Sequence, residues 1–195
     1  MSRSHGGYLC RYDDLDVSWL QLIARQALHD DGQSWESCQL SVTVLGASQL
    51  VRFAFEAPFT AGRRGAQWYL SKHSLARSLS EHLRMPVHAY TLIADELEQV
   101  TAYGNGRRVG GELLSYDDVE MPDLDDERAF EHMQAGWPLG HLARVLGVSR
   151  DTLIRLPKTP STRIDLESPQ EQRPLWHLFP AAVKARREQN SFLIS

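Results

Sequence analysis

The chain has 195 residues, a length that fits one compact domain or a domain with a small appendage. It is 42% hydrophobic and 24% charged, as is ordinary for a globular protein, and its formal net charge of −4 argues against a free-standing DNA-binding domain, which is usually basic. The sequence contains no run of 18 apolar residues and no apolar leader, so we expect no membrane span, no signal peptide and a cytoplasmic location.

The first elements in chain order are a helix and a hairpin. Apolar residues at helical spacing predict an amphipathic helix over 16–29. Two runs of alternating apolar residues, 38–46 and 49–57, are joined by "GAS" and predict an antiparallel pair of strands.

A second helix and three more strands follow. The run "QWYL" suggests a short strand at 67–70, and Ser71 is the predicted N-cap of a helix over 72–84 that ends before Pro86. The next three predicted strands are 87–93, 97–104 and 107–116. The turn "GNG" joins the last two strands, because Asn and Gly tolerate positive φ. These short connections indicate an α+β protein with a mostly antiparallel sheet and packed helices, over residues 1–118.

The remaining residues, 119–195, have a different character. They predict a helical C-terminal region that packs on the sheet. The predicted helices lie at 125–135, at 138–146 and at 149–156, with a last helix starting near Pro180. The proline- and serine-containing stretch 157–174 is interpreted as a connector.

Within this region, "GWPLGHLARVLGVSRDTLIRLP" at 136–157 resembles the helix-turn-helix of DNA-binding transcription regulators and resolvases. Ala143 provides the small residue where two helices cross, and Gly147 the turn residue. Such an αα-corner is also a common structural device, and we weigh that interpretation above DNA binding. Under the DNA-binding alternative, the residues of the second helix and its end that would face the duplex are Ser149, Arg150, Thr152, Arg155 and Lys158.

The stretch 112–131 is strongly acidic. It contains nine carboxylates and one arginine, a net charge of −8, so the rest of the chain carries a net charge of +4. A like-charge run is often a solvated linker. It can also be a docking face for a basic partner, with Tyr116 and Trp137 as aromatic anchors. Because these acids lie directly before the αα-corner and Pro157 cuts its second helix short, we favour the protein-binding interpretation over DNA binding.

We find no pattern that predicts an enzyme or a metalloprotein. Neither HExxH nor GxSxG nor a P-loop occurs. The two cysteines, Cys10 and Cys38, lack CxxC or zinc spacing, so we expect reduced thiols and neither a metal nor a cofactor.

The segment "SLARSLSEHLRMPVHAYTLIADELEQVTAYGNGRRVGGELLSY" resembles the central part of immunity-type proteins from bacterial intercellular (polymorphic, secreted-effector) toxin systems. This resemblance implies a protein that binds and occludes a cognate toxin with a basic surface. No functional residue is carried over from that family. The acidic tract and its aromatic neighbours provide the expected partner-binding residues, namely Tyr116, Asp117, Asp118, Glu120, Asp123, Asp125, Asp126, Glu127 and Trp137.

Overall fold

The computed structural model describes residues 5–11, 16–32, 37–45, 49–56, 73–93, 96–120, 127–155 and 162–167. They form an α+β fold with one seven-stranded sheet. The strands are β1 (His5–Arg11), β2 (Ser37–Leu45), β3 (Leu50–Glu56), β4 (Val87–Ile93), β5 (Leu97–Gly104), β6 (Arg107–Ser115) and β7 (Thr162–Glu167). The helices are α1 (Val17–Asp30), α2 (Ser74–Leu83), α3 (Glu127–Ala135), α4 (Pro138–Leu146) and α5 (Arg150–Ile154).

All the neighbouring strands of the sheet run antiparallel, in the order β6-β5-β4-β1-β3-β2-β7. The predicted antiparallel sheet is therefore confirmed. The β5–β6 connection is a two-residue turn in which Asn105 and Gly106 have φ of 50° and 73°, as the "GNG" signal predicts.

Two strands escaped sequence analysis. Strand β1 lies at the centre of the sheet, between β4 and β3, although its sequence gave no strand signal. Strand β7 pairs with β2 at the far edge, so the interpretation of 157–174 as a connector was wrong for residues 162–167. The predicted strand at 67–70 and the last predicted helix lie outside the described residues.

Helices α1 and α2 cover the first face of the sheet. Asp16 caps α1 by accepting hydrogen bonds from the backbone amides of Ser18 and Trp19, at 2.9 and 3.1 Å. Helix α2 begins at Ser74, two residues later than predicted. Leu28 and Leu79 bury fully against strand residues of this face, Tyr8 among them. This is the larger of two apolar cores, and it fixes both helices to the sheet.

Polar contacts join α1, α2 and β5 at the border of the first face. The Ser74 hydroxyl donates to Asp31 Oδ1 at 2.5 Å, which links the start of α2 to the end of α1. His73 Nδ1 lies 2.8 Å from the Tyr103 hydroxyl on β5. These bonds define where α2 starts.

Helices α4 and α5 lie on the second face. Leu139, Leu142 and Leu146 of α4 pack with Leu9 and Tyr90 of the sheet in a second apolar core. Gly147 ends α4 in the left-handed conformation, at φ 66°. Ser149 then caps α5, because its Oγ accepts a hydrogen bond from the Thr152 amide at 3.2 Å. The order of these elements brings the end of β6, the start of α4 and the start of α5 together over β5.

Candidate partner-binding surface

Three exposed carboxylates follow the end of β6. A single 3-10 turn, Tyr116–Asp118, directly follows the strand, and the side chains of Asp117, Asp118 and Glu120 are exposed to solvent. We call these three residues the acidic surface. Within the described part of the chain, none of them forms an ion pair with a lysine, arginine or histidine. The acidic surface therefore has negative charge available to an external cation.

Asp123, Asp125 and Asp126 lie outside the described residues, as does Lys158 of the DNA-binding alternative. Glu127 is the first residue of α3.

Tyr116 fastens the acidic surface to the fold. Its backbone N–H donates to the carbonyl of Glu96 at 2.8 Å, and its hydroxyl donates to Glu98 Oε1 at 3.0 Å. Its ring packs against the Trp137 indole with centroids 5.0 Å apart. Tyr116 is half-buried by these contacts, so it attaches the acidic surface to the fold.

Trp137 is a buried residue. Its ring is nearly perpendicular to that of Phe130, and the two centroids are 6.1 Å apart. The guanidinium carbon of Arg150 lies 5.5 Å from the centroid of the indole. Only 7% of the residue is exposed. The structure thus brings Tyr116 and Trp137 together, as predicted neighbours of one surface, but places the indole in the protein interior.

Glu98 of β5 is the centre of this arrangement, and sequence analysis missed it. The residue is fully buried. Its carboxylate accepts hydrogen bonds from the Tyr116 hydroxyl, from the Leu139 amide at 2.9 Å and from Arg150. Leu139 is the second residue of α4, so the carboxylate also neutralises the positive end of that helix dipole. The alternation of side chains along the strand could have revealed it. Glu98 lies two residues before the buried Val100 and therefore points to the same face of the sheet.

Arg150 is the cation that balances Glu98. Its guanidinium pairs with that carboxylate, donates to Gln134 Oε1 at 3.2 Å and lies over the Trp137 ring. Its side chain is 18% exposed. These intramolecular contacts occupy one of the two arginines that sequence analysis assigned to the DNA-binding alternative.

The other described residues of the DNA-binding alternative lie at the start and end of α5. Ser149 and Thr152 bond to each other at the helix start, with 2.9 Å between their oxygens. Arg155 is exposed at the helix end and pairs with Asp151 at 3.3 Å. Helix α5 has only five residues. Helix α5 thus offers one exposed arginine, at its end, for contact with DNA.

A second, partly buried polar cluster lies on the same face of the sheet. Arg52 donates from Nε to the Tyr90 hydroxyl at 3.0 Å and also bonds the Gly6 carbonyl. The His5 ring meets Tyr90 edge-on, with centroids 5.7 Å apart. Burial and the Arg52 charge lower the pKa of His5 to about 4, against a raising contribution from the Ile154 backbone. His5 is therefore neutral at pH 7.

The described residues include no group of three His, Cys, Asp or Glu side chains arranged as ligands for a metal ion. None of the helices in those ranges has the length and apolar character needed to span a membrane. Cys10 and Cys38 are free, buried thiols, and burial raises the pKa of each to about 12. These thiols are therefore protonated and poorly reactive in the folded chain.

No protein-family model matches the chain, and searches of curated proteins and of solved structures find no significantly similar chain. The resemblance to immunity-type proteins and the resemblance of 136–157 to a helix-turn-helix therefore stay predictions from the sequence.

Proposed function

We propose that this chain is an immunity-type protein of the cytoplasm, which binds a toxin with a basic surface and occludes it. The observation that carries the proposal is the acidic surface. Its carboxylates are exposed and lack an intramolecular cation among the described residues. The adjoining Tyr116 is held in place by its hydrogen bond to the buried Glu98 carboxylate. Further carboxylates follow in the sequence at Asp123, Asp125, Asp126 and Glu127.

Physical reasons favour a charged protein partner. Exposed charges of one sign accelerate encounter with an oppositely charged surface and reject like-charged partners. Because the backbone of the acidic surface is already ordered in the free protein, little conformational entropy is lost on binding. The Tyr116 ring and hydroxyl are engaged within the fold, so we assign it, with Trp137, to support of the contact and assign the contact itself to the carboxylates.

The DNA-binding alternative has weaker support. One of its two arginines, Arg150, balances a buried carboxylate, and moving it to DNA would leave Glu98 uncompensated. The acidic surface next to the corner would also repel phosphates.

Rescue from toxicity tests the proposed function. The chain would be co-expressed with the toxin encoded by a neighbouring gene, and we expect it to restore growth. A triple variant, Asp117→Asn, Asp118→Asn and Glu120→Gln, should lose rescue and weaken complex formation. Affinity of the unchanged chain for the toxin should fall as salt rises, because exposed charges are screened.

A matched variant controls for net charge. Asp30→Asn, Glu81→Gln and Asp165→Asn remove the same number of exposed carboxylates from elsewhere on the fold, and we expect them to leave rescue intact. Equal loss of rescue in both triple variants, or full rescue by the first, would contradict the proposal. A shift of duplex DNA at low salt by the unchanged chain, with no binding to the toxin, would favour the DNA-binding alternative instead.

A further inference from the structure

Strand β6 is an exposed edge of the sheet. It pairs with β5 on one side, and no described strand pairs with its other side. Residues 107–113 are all exposed, including two large apolar side chains, Val109 at 67% and Leu113 at 66%. The β5–β6 register shifts between Ala102 and Tyr103, so the regular part of this edge begins after Arg108. Backbone groups that no described strand pairs are a template for pairing with another chain.

The middle of this edge contains two glycines, of which the described fold explains one. A Cβ on Gly111 would lie 2.8 Å from the Arg108 guanidinium and 3.1 Å from the Val100 carbonyl oxygen. A Cβ on Gly110 would meet no atom of the described residues within 4 Å, and Gly110 is not among the residues with positive φ. Neither space nor backbone conformation within the chain therefore demands glycine there. Glycine inside a strand often marks a position where another backbone approaches closely.

Opposite charges lie at the two ends of the same edge. The exposed Arg107 and Arg108 begin β6, whereas Asp117 and Asp118 lie just beyond its last residue. If a second strand with this sequence lay antiparallel to β6, the basic end of each copy would face the acidic end of the other. This self-complementarity identifies the partner that the edge fits.

We propose that two copies of this chain associate by antiparallel pairing of their β6 strands around a two-fold axis at Gly111. In that register Val109 of each copy lies opposite Leu113 of the other, so both exposed apolar side chains are covered. Arg107 and Arg108 precede the register shift of β6 and lie outside the regular pairing, at the end where Asp117 and Asp118 of the other copy follow the strand. The two sheets join into one continuous sheet of fourteen described strands.

The dimer goes beyond the proposed function and does not depend on it. It places arginines beside two carboxylates of the acidic surface, so a basic toxin and the second copy compete for Asp117 and Asp118. Toxin binding then opposes dimer formation.

The experiment is sedimentation of the purified full chain over a concentration series, with two charge-reversed variants. Variant one carries Arg107→Asp and Arg108→Asp, and variant two carries Asp117→Arg and Asp118→Arg. In a dimer of either variant alone, like charges face each other at both ends of the pairing. We expect the dissociation constant of that dimer to rise by about tenfold or more. An equal mixture should regain association as a heterodimer, since every end again joins opposite charges.

A second pair of variants tests the apolar contact. Leu113→Lys should weaken the dimer, because an edge lysine opposes strand pairing. Val145→Lys changes an equally exposed apolar residue of α4, at 72%, and should leave the dimer intact. Circular dichroism and thermal melting confirm that each variant is folded.

The charge-swap mixture gives the decisive result. Restored association of two folded variants that are separately monomeric supports the β6 pairing. A monomeric unchanged chain at every concentration, or a dimer that all edge variants leave intact, overturns it. Either negative result leaves the rescue test of the proposed function unaffected, because that test measures toxin binding.

Discussion

The two faces of the sheet are held to their helices in different ways. On the first face, α1 and α2 are packed by apolar side chains such as Leu28 and Leu79. On the second face, α4 also buries leucines, but its first turn rests on the carboxylate of Glu98, which Arg150 balances. The first attachment depends on buried apolar area, the second on a pair of charges inside the protein.

This difference has a consequence for the candidate site. On the first face, many apolar side chains each contribute a share of the stabilising buried area. Truncating one of them removes only its own share. A buried ion pair behaves differently, because removing one partner leaves the other charged, desolvated and unpaired. Tyr116 bonds to the same carboxylate, so the position of the acidic surface depends on the Glu98–Arg150 pair.

The largest expected effect comes from breaking that pair. We expect Arg150→Ala to lower the free energy of unfolding by about 4 kcal/mol, because Glu98 would stay buried without its cation. Urea denaturation measures the change. Hydrogen exchange should show that amides of α4 lose protection before those of α1.

A double variant separates charge from packing. Glu98→Leu with Arg150→Met replaces both charges by apolar groups, and we expect it to recover much of the stability that Arg150→Ala loses. It should still lose the hydrogen bond from Tyr116, which shifts the acidic surface. If Arg150→Ala costs less than about 1 kcal/mol, the pair behaves as a surface ion pair and the contrast between the faces is lost.

A smaller effect is expected from the first face. Leu79 is fully buried in α2, and Leu79→Ala should cost about 3 kcal/mol through lost burial and the resulting cavity. Leu79→Met keeps the volume and should cost less than about 1.5 kcal/mol. Urea denaturation of both variants checks the values. In hydrogen exchange, the protection of α4 amides should fall only in proportion to global stability. A selective loss of protection in α4 would show that the two faces do not respond independently.

Much of the fold could be predicted because local pattern and tertiary position agree. Strands β4 and β5 have the predicted bounds, since turn residues delimit them on both sides. Leu75 and Leu79, which are four residues apart in the sequence, likewise lie on the buried face of α2. In these elements the side chains that define the pattern are the ones that pack in the core.

The elements that escaped prediction lack such a pattern. Strand β1 has Gly6 and Gly7 where apolar residues would signal a strand. A Cβ on Gly7 would lie 2.5 Å from the Phe53 carbonyl oxygen, so close contact with β3 excludes a side chain there. Strand β7 does alternate, with Ile164 and Leu166 buried, but the prolines around it favoured a connector.

The candidate site was predictable only in part. A charge count suffices to find the acidic surface, because exposed carboxylates need no tertiary partner to be recognised. The role of Arg150 depends on Glu98, which is 52 residues distant in sequence. Sequence analysis of the corner alone assigns that arginine to solvent, whereas the fold supplies the buried carboxylate that binds it.

The smallest expected effect concerns pH and the second polar cluster of the same face. Because the pKa of His5 is lowered to about 4 in the folded chain, the unfolded chain binds a proton that the folded chain does not, between about pH 6.5 and 4. His88, whose pKa burial also lowers, acts in the same direction. The free energy of unfolding should therefore be fully retained above pH 6.5 and fall as the pH decreases toward 4.

His5→Gln should flatten that dependence. One proton accounts for at most about 1.4 kcal/mol per pH unit, so the variant should lose up to that much of the slope, as measured by urea denaturation at several pH values. His29→Gln removes an exposed histidine from the end of α1 and serves as the control for losing one imidazole outside the polar cluster. An unchanged slope in His5→Gln would mean that His5 accepts a proton in the folded chain as readily as in the unfolded one. The cluster of Arg52 and Tyr90 would then tolerate a second positive charge, and only the Glu98–Arg150 pair would distinguish the second face from the first.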